Sequence, residues 1–413
     1  MATIQNMLEV CGTLEKAEKF AREKGPDYYL DLQLCLAAQG KWDEAKKINV
    51  LRKPTDGRQI YASGLFSIME GNLPMGMYQM HCGRSEGLFG TPYPIPGKML
   101  TPDIEDIEGK VILLRSEGGF GDEIINVRFA KTLADRGAKV VVSANVGLAS
   151  IFSRVEGVGA VISSGSEKFI YYDYWIPAMS APGMLNINYQ DLSGKPYISA
   201  LPDAVGAWKN LLGKRTDKPK VGIRWSGNPK FEHEQFRSVN KDDLRKAFDD
   251  RFEVFSLHID DDAPENTKEL KDLIGSWEDT LACIMNLDLV VTTCTSIAHA
   301  SAAMGKETWV IVPVMPYYVW GYPIAAKTSG WYDSVKLFRQ RTFDKWDYPI
   351  NGVKLKLEDF MKTWVPTPDP ELTEEEMKAN EGNLGADTMD GYHRNLVPQQ
   401  VQPEMSDDMP SIV

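Results

Sequence analysis

The spacing of apolar and polar positions changes character along the chain. Over roughly the first ninety residues apolar side chains recur at helical intervals. Leu30, Leu34 and Ala38 lie four apart, then come Gly40 and Trp42, then Ala45 and Ile48. The scheme repeats with Leu65 and Met69, Gly71, and then Gly76 and Met80. That interval lines one face of a helix, and a glycine behind each run ends it. Ala45 and Gly76 are small enough for paired helices to approach closely. Residues 91–109 ("TPYPIPGKMLTPDIEDIEG") are rich in Pro and Gly and read as a linker. Beyond them, short continuous apolar runs alternate with helix-period segments. "KVILLRS" predicts a buried strand. "DEIINVRFAKTLADRG" predicts one helix, with Ile125, Phe129 and Leu133 on a face and Gly137 closing it. "AKVVVSANV", "VGAVISS" and "YYDYWIPAMS" read as further strands. A second alternating series follows Pro202: "KVGIRWS", "FEVFSLH", "DLVVTT" and "TWVIVPV" as strands, with "KDDLRKAF", "WEDTLACIMNL" and "SIAHASAAMG" as helices. Such alternation predicts parallel sheets covered on both faces, an α/β architecture in two lobes.

The expected organisation is therefore helical repeats over 1–90, a linker over 91–109, a Rossmann-like lobe over 110–201 and a second over 202–365. Residues 366–413, where carboxylates outnumber Lys and Arg and apolar residues are sparse, are expected to be a disordered acidic tail. The turn glycines Gly40 and Gly71 stand about 31 residues apart, near the ~34-residue period of a TPR. The region resembles a short TPR array, too short to stand alone and so expected to pack on the lobes.

Composition narrows the function without naming it. The 413 residues are 43% hydrophobic and 25% charged, as in ordinary globular chains, with a formal net charge of -12. An acidic chain is a poor general binder of nucleic acid or of anionic membrane, and neither is expected as a partner. The five cysteines, Cys11, Cys35, Cys82, Cys283 and Cys294, show no CxxC spacing. Neither a disulfide framework nor a zinc site is expected, and a reducing cytoplasm fits best. The first residues lack the basic and apolar pattern of a secretory leader, and no apolar run approaches a membrane span.

Three strand-to-helix turns carry the candidate chemistry. In "LRSEGGFGDEIINVRF" a strand runs into Gly118, Gly119 and Gly121, with Asp122 at the helix start. Glycines there allow backbone N–H groups to face a ligand at the helix N-terminus. The third glycine of a dinucleotide fingerprint and the acidic end of the next strand are both missing, which argues against NAD. Asp122 has two readings, a carboxylate that suits the helix dipole and a base that could take a proton from a hydroxyl. In "VGIRWSGNPKFEHEQFRSV", Gly227 and Asn228 turn at a strand end, and Lys230 and Arg237 supply positive charge. Arg suits a diphosphate through its fork; a plain solvated loop is the other reading, and His233 reads as surface. In "TTCTSIAHASAAMG", Thr295 and Ser296 are N-cap candidates that could equally offer hydroxyls and N–H groups to a phosphate, with His299 one turn on. Cys294 reads as a small buried filler.

In order, "EGGFGDEI", "GIRWSGNP…RS", "WEDTLACIMNLDLVV", "CTSIAHASAAMGKETWV" and "WYDSVKLFRQ" resemble the TPR-linked glycosyltransferases related to the heptosyltransferases of glycosyltransferase family 9. More distantly they resemble O-GlcNAc transferases. The resemblance spans about residues 30 to 345. It implies a GT-B fold, two Rossmann-like lobes facing across a cleft, and an inverting transfer that needs no metal and no cofactor beyond the nucleotide-sugar co-substrate. The C-terminal lobe would hold the donor and the N-terminal lobe a glycan, lipid or protein acceptor; the TPR-like helices would suit a protein partner. Asp122 falls on the family's Gly-x-Gly-Asp aspartate, the general base. Gly227, Asn228 and Arg237 fall on its donor-lobe loop. Thr295, Ser296 and His299 fall on its Asp-Thr-Ser-x-x-His element, except that Cys294 stands where that element has Asp. The rival readings are a non-catalytic interaction module that binds a nucleotide, and a nucleotide-sugar epimerase on the same fold.

Overall fold

The computed structural model describes residues 4–86, 95–213, 215–229 and 234–366. Lys230, His233 and all of the acidic tail but Pro366 lie outside the described residues.

The chain opens with helices α1 (Ile4–Cys11), α2 (Leu14–Lys24), α3 (Tyr29–Ala38), α4 (Trp42–Leu51), α5 (Gly57–Met69) and α6 (Leu73–Ser85). Asp56 and Asn72 cap α5 and α6 through side-chain oxygens that accept from Gln59 and Met75 N–H groups. A first sheet follows: β1 (Lys98–Met99), β2 (Val111–Arg115), β3 (Lys139–Ala144), β4 (Val158–Ser163) and β5 (Tyr174–Pro177). Its order is β1-β5-β2-β3-β4, parallel throughout. The expected linker thus gives the sheet an edge strand, with Lys98 opposite Tyr174 and Met99 opposite Trp175. Helices α7 (Phe120–Asn126), α8 (Phe129–Asp135), α9 (Ala149–Phe152) and α10 (Ala181–Met184) belong to this lobe.

The second sheet holds β6 (Lys220–Arg224), β7 (Glu253–Ser256), β8 (Lys268–Glu269), β9 (Leu289–Thr293), β10 (Thr308–Val312) and β11 (Val335–Arg339). Its order is β11-β10-β9-β6-β7-β8, again all parallel. With it come α11 (Pro202–Leu211), α12 (Lys241–Arg245), α13 (Trp277–Met285), α14 (Ser296–Ala303) and α15 (Asp347–Thr363). Strands β6, β9 and β10 are buried along their whole length; apolar residues stand on both faces of β9 and β10, and Gly222 lies between Val221 and Ile223 in β6. In each sheet the chain builds outward from a central strand, β2 or β6, and then returns to that strand's other side, the first sheet having begun with edge strand β1. The order reverses between β2 and β5 in the first sheet and between β6 and β9 in the second. Parallel sheets form ligand crevices beyond the carboxyl ends of the strands at such points.

One hydrophobic core runs through all three parts. Ile68, Leu73, Met77 and Met80 of the helical region share it with Ile112, Leu114 and Ile176 of the first sheet, and with Leu281, Ile284, Val310 and Trp320 of the second lobe. A separate core fills the far face of the second sheet, where Val221, Ile223, Leu289 and Ile311 meet Leu244, Val353 and Leu357.

The helix expected over 122–137 is broken at Val127–Arg128 into α7 and α8. Val127 and Arg128 keep helical φ/ψ there, and the ladder tightens to three-residue bonds from the Ala130 and Lys131 amides. At the same point Arg128 Nε turns back to donate to the Ile125 carbonyl at 2.9 Å. Its other nitrogens reach the Trp331 carbonyl at 2.8 Å, the Tyr197 hydroxyl at 2.9 Å and the Ser193 carbonyl at 3.3 Å. The guanidinium lies 4.4 Å from the Tyr197 ring centre, 4.6 Å from that of Tyr332 and 5.3 Å from that of Trp331. Among the described residues no carboxylate bonds to it. This buried cation therefore joins the first lobe to the second through carbonyls, a phenol and ring faces.

Candidate active site

The two switch points face each other. A Cβ built on Gly121, in the first turn of α7, would stand 3.2 Å from His299 Cδ2 and 3.4 Å from the Ser296 Cα. The starts of α7 and α14, one from each lobe, are therefore in direct contact. Phe120 packs its ring on Trp277 at 5.3 Å between centres. Beside them Arg154 of the first lobe grips Glu278 of the second with two bonds, at 2.7 and 2.9 Å.

Asp122 is the third residue of α7 and is half-buried. Its Oδ2 accepts the Gly119 N–H at 2.9 Å, and its Oδ1 accepts the Tyr317 hydroxyl from the loop after β10. Gly118 has φ +76°, and a side chain there would collide with the Asp122 carboxylate. The glycines thus serve a purpose other than the one expected from sequence. The Gly119 amide is taken by Asp122, so the loop wraps the carboxylate and that N–H does not face a ligand. Burial holds the Asp122 carboxyl above the usual carboxylate range; the bonds from Tyr317 and Gly119, then Arg237 and Arg84, pull the other way. Its neighbour Glu123 is buried, accepts the Asn145 N–H at 2.9 Å and is pushed up to about 6 by that burial.

The helical region contributes to this edge. Arg84 of α6 donates to Ser180 Oγ at 2.6 Å and lies 3.8 Å from Glu117, which leads into the glycine loop. His81 Nδ1 meets the same Ser180 hydroxyl at 3.0 Å. Burial, with help from Arg84, depresses the His81 imidazole to about 4.

Across the contact, Thr295 holds the N-cap position of α14 but does not cap it. Its Oγ1 pairs with Thr292 Oγ1 at 3.1 Å, and its N–H returns to the Thr293 carbonyl. The expected capping role is overturned because the hydroxyl turns into the sheet. Among the described residues no protein acceptor meets the amides of Ser296 and Ile297, and the Ser296 hydroxyl has no bond. Two N–H groups without a protein acceptor, one hydroxyl and the positive end of an eight-residue helix are the kind of groups that can bind an anion; this helix start is called the anion seat below.

His299 does not reach that seat as a cation. It is buried, its ring lies 5.0 Å from Trp320 at 8°, and Nδ1 meets the Tyr332 hydroxyl at 3.2 Å. Burial, then Arg128 and Arg237, depress it to about 3, so it is neutral at physiological pH. It forms the floor on which Gly121 rests.

The Arg237 fork, expected to meet a diphosphate, is largely occupied. Nε donates to Glu234 Oε2 at 2.7 Å, and Nη1 donates to the Cys294 carbonyl at 2.7 Å, just ahead of the anion seat. Glu234 is buried and also takes the Gly227 N–H and, at 2.8 Å, the Ser238 hydroxyl. It shapes the 226–228 turn. Asn228 lies at the exposed rim of that turn. Glu234→Ala would leave the Gly227 amide and the Arg237 guanidinium without this acceptor. We expect a loss of roughly 1–3 kcal/mol in urea unfolding, together with weaker nucleotide binding because the Cys294 carbonyl is released. Full stability in that variant would show that the clamp is dispensable.

The Cys294 thiol points away from the seat into the core, with Sγ 3.8 Å from the Ile311 carbonyl. Burial pushes it up to about 12, so it is a neutral filler. On the same turn system, Ser226 Oγ lies 2.7 Å from His258 Nε2, and His258 Nδ1 accepts the Asp260 N–H at 3.2 Å. That acceptor role fixes the proton on Nε2, which donates to Ser226 and leaves the serine proton free to donate onward.

Sequence reasoning missed Tyr317, Glu234, Arg84, Arg128 and His258. Only Glu234 left a local signal, a carboxylate three residues before an arginine on a loop.

No protein-family model matches the chain, and no curated protein aligns with it. Among solved structures the chain is similar to the ADP-heptose LPS heptosyltransferase II of E. coli, at 12% identity and a TM-score of 0.42, covering 60% of this chain and 99% of that one. It is similar to a glycosyl transferase family 9 protein of Veillonella parvula, at 8% identity and a TM-score of 0.41, covering 67% and 97%. An O-GlcNAc transferase of Thermobaculum terrenum matches over 93% of this chain and 88% of its own, at 13% identity and a TM-score of 0.29. These are the groups that the sequence motifs resemble.

Proposed function

We propose that the chain is a glycosyltransferase that moves a sugar from a nucleotide-sugar donor to an acceptor hydroxyl, with inversion and without a metal. One observation carries the reading. A carboxylate held above the usual range in one lobe stands beside the unpaired amides of a helix start in the other. The donor diphosphate would sit on the Ser296 and Ile297 amides and the Ser296 hydroxyl. The positive helix end would offset charge on the departing diphosphate, with Arg237, paired to Glu234, holding the Cys294 carbonyl beside it. The acceptor would enter over the glycine loop of the first lobe. Asp122 would take its proton as the acceptor oxygen bonds to the anomeric carbon and the bond to the diphosphate breaks. Attack from the face opposite the leaving group inverts the anomeric carbon. The Cys294 thiol is turned into the core, so the lack of a carboxylate there does not by itself favour an inert module.

The test is a melting-temperature panel of nucleoside diphosphates and UDP-, ADP-, GDP- and CMP-sugars, followed by analysis of sugar transfer in EDTA. A ligand at about a hundred times its Kd stabilises by ~2.7 kcal/mol, so a donor should raise the melting temperature measurably. Ser296→Asp puts a carboxylate on the seat and should abolish that rise. If no ligand stabilises the protein and no nucleotide sugar is consumed, the reading fails. Consumption that yields an epimerised nucleotide sugar with no acceptor present would favour the epimerase.

A further inference from the structure

The loop after β10 grips α7 at two points one turn apart. The Tyr317 hydroxyl donates to Asp122 Oδ1, and the Tyr318 hydroxyl lies 3.2 Å from Asn126 Nδ2. Asp122 and Asn126 are four residues apart, so both lie on the face of α7 that this loop covers. The two tyrosine rings pack on each other at 4.5 Å, which fixes the loop as a unit. We propose that Tyr317 is a positioning residue through which the donor lobe orients Asp122 of the acceptor lobe and holds it as the carboxylate. The proposal rests on the reading of Asp122 as the base.

The geometry restricts the donor and acceptor roles. A carboxylate has no proton to give, so the phenol is the donor, and burial keeps the Tyr317 hydroxyl protonated by raising it well above its ordinary value. Gly119 of the first lobe and Tyr317 of the second each pin one carboxylate oxygen. Every such oxygen keeps a second lone pair that can receive the acceptor proton. Tyr317 itself gives up no proton in the step. Other groups facing Asp122 are Arg84 from α6, Arg237 from the donor lobe, Glu123 beside it on α7, Tyr61 from α5 and Tyr318. Burial favours the protonated acid, and the Tyr317 bond opposes burial. Without that hydroxyl the opposition falls to Gly119 and two arginines, so the proton binds at higher pH.

The experiment is a carboxyl 13C titration of aspartate-labelled protein, with Asp122→Asn identifying the resonance. In Tyr317→Phe the Asp122 midpoint should shift upward from its wild-type value. An unchanged midpoint in a folded variant overturns the proposal. Should the variant fail to fold, wild-type protein labelled at tyrosine Cζ decides the matter. One tyrosine resonance must move through the Asp122 midpoint, and that movement must vanish in Asp122→Asn; if none does, the proposal falls. The titration needs no substrate. Normal sugar transfer by Asp122→Asn would therefore remove the base assignment while leaving the measured coupling intact.

Discussion

Asp122→Asn is expected to lower sugar transfer by roughly 10²–10⁴-fold while leaving the fold and donor binding in place. The asparagine can keep its carbonyl oxygen on the Gly119 N–H, which can only donate. Its amide nitrogen then faces Tyr317, whose hydroxyl can rotate to accept. Both contacts survive in altered form, and the proton acceptor is lost. The proposed donor seat is untouched because it belongs to the start of α14 in the other lobe. The same assignment sets the sign of the pH profile. The base must be ionised, so transfer rises with pH through the Asp122 midpoint, and burial places that midpoint above the ordinary carboxylate value. Initial-rate measurements with the donor found in the ligand panel check both points. Unchanged turnover in the variant would remove Asp122 from the mechanism.

The second large effect is on stability. Arg128→Ala removes a side chain that donates to three carbonyls and one phenol and lies against three aromatic rings. Two terms compete. Deleting the cation relieves the cost of holding a charge away from water. Against this, the variant leaves a cavity and strands acceptors of which each costs about 1–3 kcal/mol. The stranded acceptors and the cavity should prevail, for a net loss of roughly 3–4 kcal/mol in denaturant unfolding. Arg128→Met separates the terms because it fills most of the space without bonding. If the methionine variant is as stable as wild type, packing and not the polar clamp holds the lobes together at this point.

Much of the sheet framework is legible from residue order. "KVILLRS" and "DLVVTT" carry short continuous apolar stretches, Val111–Leu114 and Leu289–Val291, because β2 and β9 are covered on both faces. Strand β1 is not legible, being two residues inside a stretch of Pro and Gly whose only partner lies more than seventy residues on. The break at Arg128 is equally hidden. Ile125, Phe129 and Leu133 keep a helical period across it, and the Arg128 side chain at that point bonds to residues 193, 197 and 331, far along the chain. At the site, the glycine loop around Asp122 is legible, but not that the Gly119 N–H turns to the Asp122 carboxylate instead of to a ligand. Tyr317 is not, since it stands 195 residues away. That His299 is buried is not legible, because a helix of Ala and Ser shows no apolar face to reveal that its whole circumference, apart from Ser296, is buried. The positive charge of Arg237 is legible, but not its capture by Glu234, although that carboxylate is only three residues away.

The core shared by Met77 and Met80 with both sheets bears on how such a chain can be rebuilt or inherited. A repeat array joined by a tether can be lengthened, shortened or exchanged without regard to the body that carries it. Here α6 supplies core methionines and also Arg84 at the rim of the glycine loop. Changing α5 or α6 therefore means changing the interior of the lobes with it, whereas α1 to α4 pack chiefly in two smaller clusters of their own, so a graft that keeps the lobes intact must carry α5 and α6 with them.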